Sequence, residues 1–137
     1  MSDYAAIFDM DGVLVDSYRA HLESWQRAAG DRGLTMTEAD FAATFGRTSR
    51  DIIDHLWGPT VPESDRPAFD ADKEAAYRDV LRVDFPEMDG ASDLVAALAR
   101  DGFALAVGSS GPPENVQVVL EMLPHAENIT ATVTGAD

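Results

Sequence analysis

Cysteine is absent from the 137-residue chain, which excludes a disulfide framework, a thiolate metal site and a cysteine nucleophile. Long hydrophobic runs are absent too: no stretch approaches the roughly 18 apolar residues that span a bilayer. The opening "MSDYAAIFD" has neither the basic start nor the apolar centre of a signal peptide. Positive charge is scarce, with 10 basic against 25 acidic residues, a formal net charge of −15 and a pI near 4.3. Lysine occurs once, as Lys73, against nine arginines. An acidic surface repels a nucleic-acid backbone and an anionic membrane alike. The expectation is a cytoplasmic protein, monomer or homodimer, with neither as partner.

Apolar residues make up 45% of the chain, enough for a real core in one domain or a small domain with an insertion. "YAAIF" (4–8) is a short unbroken apolar run, the pattern of a strand covered on both faces of a parallel sheet. "FALAVG" (103–108) is a second such run and "TATVTG" (130–135) a shorter third. Helical spacing links them: Leu94, Val95 and Leu98 precede the second run, and Val116, Val119, Leu120 and Leu123 follow it, behind two prolines. Helix, strand, helix, strand predicts a doubly wound, Rossmann-like α/β core. Residues 18–84 lack a strand run and read as helices separated by glycine breaks, with Leu22, Trp25 and Ala29 on one face and Thr37 and Ser49 as N-caps. This predicts a core formed by 1–17 and 85–137 with a helical cap, 18–84, inserted after the first strand. Three strands are fewer than the usual five or six, so the expected core is either minimal or partial.

Chemistry concentrates where the first run ends, at "IFDMDGVLVDS" (7–17). In an extended chain residues i and i+2 face one side, so Asp9 and Asp11 can address one ligand. Open α/β sheets bind ligands beyond the carboxyl ends of their strands, where this pair falls. Adjacent carboxylates repel unless one is protonated or a cation lies between them, and a hard, oxygen-seeking ion such as Mg²⁺ meets that need. Asp-x-Asp-Gly is also an ordinary turn signal. A calcium-binding EF-hand loop fails on spacing, because Gly12 comes two positions early and Ala20 stands where the bidentate glutamate belongs. At the second strand's end, "LAVGSSGPPEN" (105–115) sets Ser109 and Ser110 before a helix N-terminus, an arrangement that aims N–H groups at an anion; taken alone it is also a common loop.

"IFDMDGVLVDS" resembles the first motif of the haloacid dehalogenase superfamily, an apolar strand ending in D-x-D-G-x-[LV]-x-[DN]-[ST]. The resemblance implies Asp9 as the nucleophile, Asp11 as the general acid/base, and Mg²⁺ held by Asp9 and by the backbone carbonyl of Asp11. Ser109 matches the serine or threonine that bonds the transferring phosphoryl group, with Ser110 lending its N–H and Asn115 orienting the loop. "DSYRAHLESW" (16–25) and "GRTSRDII" (46–53) resemble the helical-cap subclass, in its β-phosphoglucomutase-like and phosphatase branch. By that resemblance His21 assists the proton handling of Asp11, and Arg47, Arg50 and Lys73 contact substrate; each is also an ordinary solvated side chain on a helix.

The implied activity is Mg²⁺-dependent phosphoryl transfer through an aspartyl-phosphate, with a small phosphorylated metabolite such as a sugar phosphate as substrate. Water as acceptor makes a phosphatase, and a sugar hydroxyl makes a mutase. The family's lysine motif and its later acidic pair follow a stretch like "VTGAD" (133–137), so the resemblance covers the first part of the family's usual length. A non-catalytic phosphate- or metal-binding module is the alternative this leaves. A dehalogenase is disfavoured, because that branch keeps a single aspartate.

Overall fold

A computed structural model describes residues 3–137. Among these residues six α-helices and three strands follow one another as β1 (Ala5–Phe8), α1 (Tyr18–Gly30), α2 (Glu38–Thr44), α3 (Ser49–Trp57), α4 (Arg66–Val83), α5 (Ala91–Arg100), β2 (Ala104–Gly108), α6 (Pro113–Met122) and β3 (Ile129–Val133). They divide into two compact units, Met1–Tyr18 with Leu81–Asp137, and Arg19–Val80.

The first unit is built on a parallel sheet in the order β1-β2-β3, with Phe8 beside Val107 and Val107 beside Thr132. Both steps run in the same direction across the sheet. Right-handed crossovers then put the connecting helices on one face. Burial follows that rule: Phe8, Leu105 and Val107 are covered, together with Val95 of α5 and Val116 and Val119 of α6. On the opposite face Ile7 is 77% and Val133 61% exposed. Within residues 3–137 the first strand is covered on one face, because both crossovers between these three strands lie there. Leu94, predicted on the inner face of α5, is half exposed, and Val95 beside it is fully buried.

The helical unit closes around Trp25, Phe69 and Tyr77, all buried. Trp25 meets Phe69 at 5.7 Å between ring centroids, and Phe69 stacks on Trp57 at 5.3 Å. The predicted N-cap of α2 is present: Thr37 Oγ1 accepts the Asp40 N–H at 3.0 Å, and the Asp40 carboxylate accepts the Thr37 N–H at 3.1 Å. This reciprocal box satisfies two helix-end donors. The Thr37 side chain first, then its backbone N–H, holds the Asp40 carboxyl below its ordinary range.

At α3 the expected cap is displaced by one residue. Thr48, not Ser49, accepts the Asp51 N–H, at 3.2 Å, while Ser49 is the first helical residue. Both are hydroxyl residues, and the choice follows the backbone, since only Thr48 has the extended dihedrals of a cap. Thr48→Ala is accordingly expected to cost about 1 kcal/mol of stability, and Ser49→Ala little, measured by thermal unfolding of the two variants. Equal losses would return the cap to Ser49.

Candidate active site

Asp9 is the first residue beyond β1. It and Asp11 are exposed, while Met10 between them is only 1% exposed, so the chain anchors itself through Met10 and keeps both aspartates on the solvent side. Asp9 Oδ1 accepts the Met10 N–H at 2.7 Å, which fixes the carboxylate plane. Its Oδ2 carries no hydrogen bond among the described residues. The extended geometry assumed for the pair stops early: from Met10 the chain turns, with the N–H groups of Leu14 and Val15 on the Met10 carbonyl and the Gly12 N–H on Val15 O at 2.8 Å. Gly12 makes the turn with φ +74°, a region costly for a residue with a Cβ.

Ser109 follows β2 directly. Because Phe8 pairs with Val107 in a parallel register, Asp9 and Ser109 leave adjacent strands at the same carboxyl edge; neighbouring strands lie about 4.8 Å apart. Ser109 Oγ accepts the Gly111 N–H at 3.1 Å. A hydroxyl so engaged still has its own proton to donate. Ser110 is exposed, and its N–H makes no hydrogen bond among the described residues. Behind the loop begins α6, whose first-turn N–H groups favour negative charge. Asn115, the expected loop-orienting residue, is buried in that first turn.

The other four predicted residues belong to the helical unit. His21 and Lys73, 52 positions apart in sequence, are brought together: Lys73 Nζ lies 3.2 Å from His21 Nδ1 and 3.0 Å from a Glu74 carboxylate oxygen. An ammonium only donates, so Nδ1 is the acceptor and the proton of a neutral His21 ring sits on Nε2. The imidazole is stacked flat on Tyr77, 4.1 Å between centroids and 2° between planes. Lys73 itself is 4% exposed, its charge also over the faces of Trp25 and Tyr77. Arg50 is exposed and paired with Glu63 at 2.5 Å. With Ser49, Glu63, Arg66 and Asp70 it lines a cavity of about 310 Å³. Arg47 is exposed in a separate recess with Asp51, Asp54 and His55.

One residue at the sheet edge escaped the sequence reading. Gly135, two residues past β3, donates its N–H to Gly111 O at 2.8 Å, and its α-carbon lies against the Ser110 carbonyl. The available signal was a glycine just beyond a strand end, which is too common to single out.

Asp9 and Asp11 offer oxygen only, the donor type that Mg²⁺ takes while keeping several waters. They are a partial set, since no group of three or more His, Cys, Asp or Glu that could hold an ion occurs among the described residues. Among those residues, too, no helix is long and apolar enough to cross a membrane.

Comparison with known proteins gives this geometry its context. A curated protein of Lacticaseibacillus casei, named for its position in the fgs 3′ region, is 32% identical over 139 residues, which cover 96% of this chain and 61% of that protein. The validoxylamine A 7′-phosphate phosphatase of Streptomyces hygroscopicus subsp. limoneus is 25% identical over 133 residues, covering 96% and 62%. The chain thus spans about three fifths of the length of the curated relatives it matches. The crystal structure of a HAD hydrolase, family IA, variant 3, from Entamoeba histolytica superimposes with a TM-score of 0.80 at 26% identity, covering 96% of this chain and 60% of that one. The model of the haloacid dehalogenase-like hydrolases matches residues 5–136, nearly the whole chain, and it is to that family that the protein belongs.

Proposed function

We propose that the protein removes the phosphoryl group of a small phosphorylated metabolite, such as a sugar phosphate, through an aspartyl-phosphate on Asp9. The observation that carries this reading is the shared sheet edge: an oriented carboxylate with a free Oδ2 leaves β1, and a loop with a free N–H and a hydroxyl proton leaves β2. Asp9 Oδ2 attacks phosphorus in line as the bond to the leaving oxygen breaks, and Asp11 delivers its proton to that oxygen. Asp11, now a carboxylate, takes a proton from water, which attacks the acyl phosphate and releases inorganic phosphate. The Ser109 hydroxyl and Ser110 N–H hold the equatorial oxygens as charge spreads over them. Asp9 and Asp11 are the residues that would hold Mg²⁺. When bound, the ion, held by the Asp9 carboxylate and the Asp11 backbone carbonyl, would supply positive charge against the phosphoryl oxygens and leave the Asp11 carboxyl to carry its proton.

His21, Arg47, Arg50 and Lys73 are assigned to substrate selection. The resemblance of His21 and the basic residues of the helical unit to the β-phosphoglucomutase-like branch favours a second reading, a sugar-phosphate mutase, in which a sugar hydroxyl rather than water accepts the phosphoryl group. Incubating the full-length protein with a panel of phosphomonoesters and Mg²⁺, and measuring free phosphate beside isomerised sugar phosphate, separates the two. Phosphate release is the expected result. Isomer without free phosphate establishes the mutase, and neither product leaves a binding module.

A further inference from the structure

We propose that Gly135 is a positioning residue for the phosphate-holding loop, its missing side chain letting the chain beyond β3 clamp the backbone of Ser109–Gly111. The inference rests on the reading of that loop as the phosphoryl site.

Two backbone hydrogen bonds bracket Ser110. The Ser109 N–H donates to Val133 O at 2.9 Å, and the Gly135 N–H donates to Gly111 O at 2.8 Å. Between them the two chains touch so closely that a Cβ on residue 135 would overlap the Ser110 carbonyl oxygen and stand 3.0 Å from both Ser110 C and Gly111 O. Every obstructing atom is backbone, so no rotamer change relieves the clash. Gly135 differs here from Gly12, whose requirement is a positive φ; the φ of Gly135 is not positive, and the space around it alone excludes a side chain.

The peptide that bears the Ser110 carbonyl continues into the Gly111 N–H, and that N–H holds Ser109 Oγ at 3.1 Å. Displacing the carbonyl therefore tilts the peptide that orients the serine hydroxyl and moves the neighbouring Ser110 N–H. Donors that stabilise a transferring group act only when fixed in advance, and a misplacement of about 1 Å can cost on the order of 100-fold in rate. The segment carrying Gly135 is itself tied: the Asp137 carboxylate accepts the Thr134 N–H at 2.8 Å and the Thr134 hydroxyl at 3.2 Å.

The test titrates the full-length protein with inorganic phosphate and follows the amide resonances of Ser109, Ser110 and Gly111, in wild type, Gly135→Ala and Asp137→Ala. Thermal unfolding is recorded for each, with Asp9→Asn assayed in parallel. Wild type is expected to show phosphate-dependent shifts at Ser110 and Gly111. Gly135→Ala should weaken phosphate binding by about tenfold or more and lower kcat on the order of 100-fold, and Asp137→Ala should weaken binding severalfold with its unfolding temperature unchanged. A merely structural glycine would lower the unfolding temperature and leave the phosphate affinity of the folded protein as it was. That result in Gly135→Ala overturns the proposal; if that variant does not fold, wild-type affinity in Asp137→Ala overturns it. Phosphate shifts that miss this loop in wild type, or activity surviving Asp9→Asn, would instead defeat the underlying functional reading.

Discussion

Asp9→Asn is expected to lower phosphate release by about 10⁴-fold or more, the scale seen when a covalent nucleophile is removed. The amide oxygen can still accept the Met10 N–H that orients Asp9 Oδ1, so the backbone at the end of β1 has no reason to move. What disappears is the anionic Oδ2, and a neutral amide does not attack a phosphomonoester. Two measurements check this: steady-state phosphate release, and the intact mass of the protein quenched in acid during turnover. Wild type should carry one added phosphoryl group, which Asp9→Asn lacks. An Asn variant with even a tenth of wild-type turnover would remove the covalent mechanism altogether.

For Asp11→Asn the loss should depend on the leaving group. An alkyl phosphate expels a strongly basic alkoxide, and losing a positioned proton donor costs about 10²–10⁴-fold there. An aryl phosphate with an acidic phenol leaves with little protonation, so its first step should be nearly untouched. The second step still needs Asp11 as base, and phosphorylated Asp9 should therefore accumulate in the variant when the aryl ester is used. The observable is the ratio of alkyl to aryl turnover in wild type and variant, together with the phosphorylated fraction. An equal fall for both esters without accumulation assigns Asp11 a role other than proton transfer, such as holding the metal alone.

Much of this was legible because the signals are local. The run before Asp9 and the run before Ser109 have strand character in their own residues, and a carboxylate or hydroxyl at the end of such a run falls at the sheet edge wherever the rest of the chain goes. Thr37 was readable as a cap because its partner, Asp40, is three residues away. The cap of α3 was not, since Thr48 and Ser49 are chemically alike and the backbone decides between them. Likewise an ion pair such as Arg50 with Glu63 leaves no trace in either residue's immediate neighbours.

By itself the sequence determined the order of strands and helices, the helical block between the first two strands, and the identity and sheet-edge position of Asp9, Asp11, Ser109 and Ser110. Periodicity and chain direction are sufficient for the placement, whereas the choice of these four as site residues rests on the resemblance of their motifs. Tertiary structure alone decided that the crossovers cover one face and leave Ile7 and Val133 exposed. It also decided that Lys73 meets His21 across 52 residues, and that Gly135 lies against the Ser110 carbonyl. These are approaches between segments distant in sequence, and their distances are set by packing of the intervening chain, which no local pattern of residues encodes.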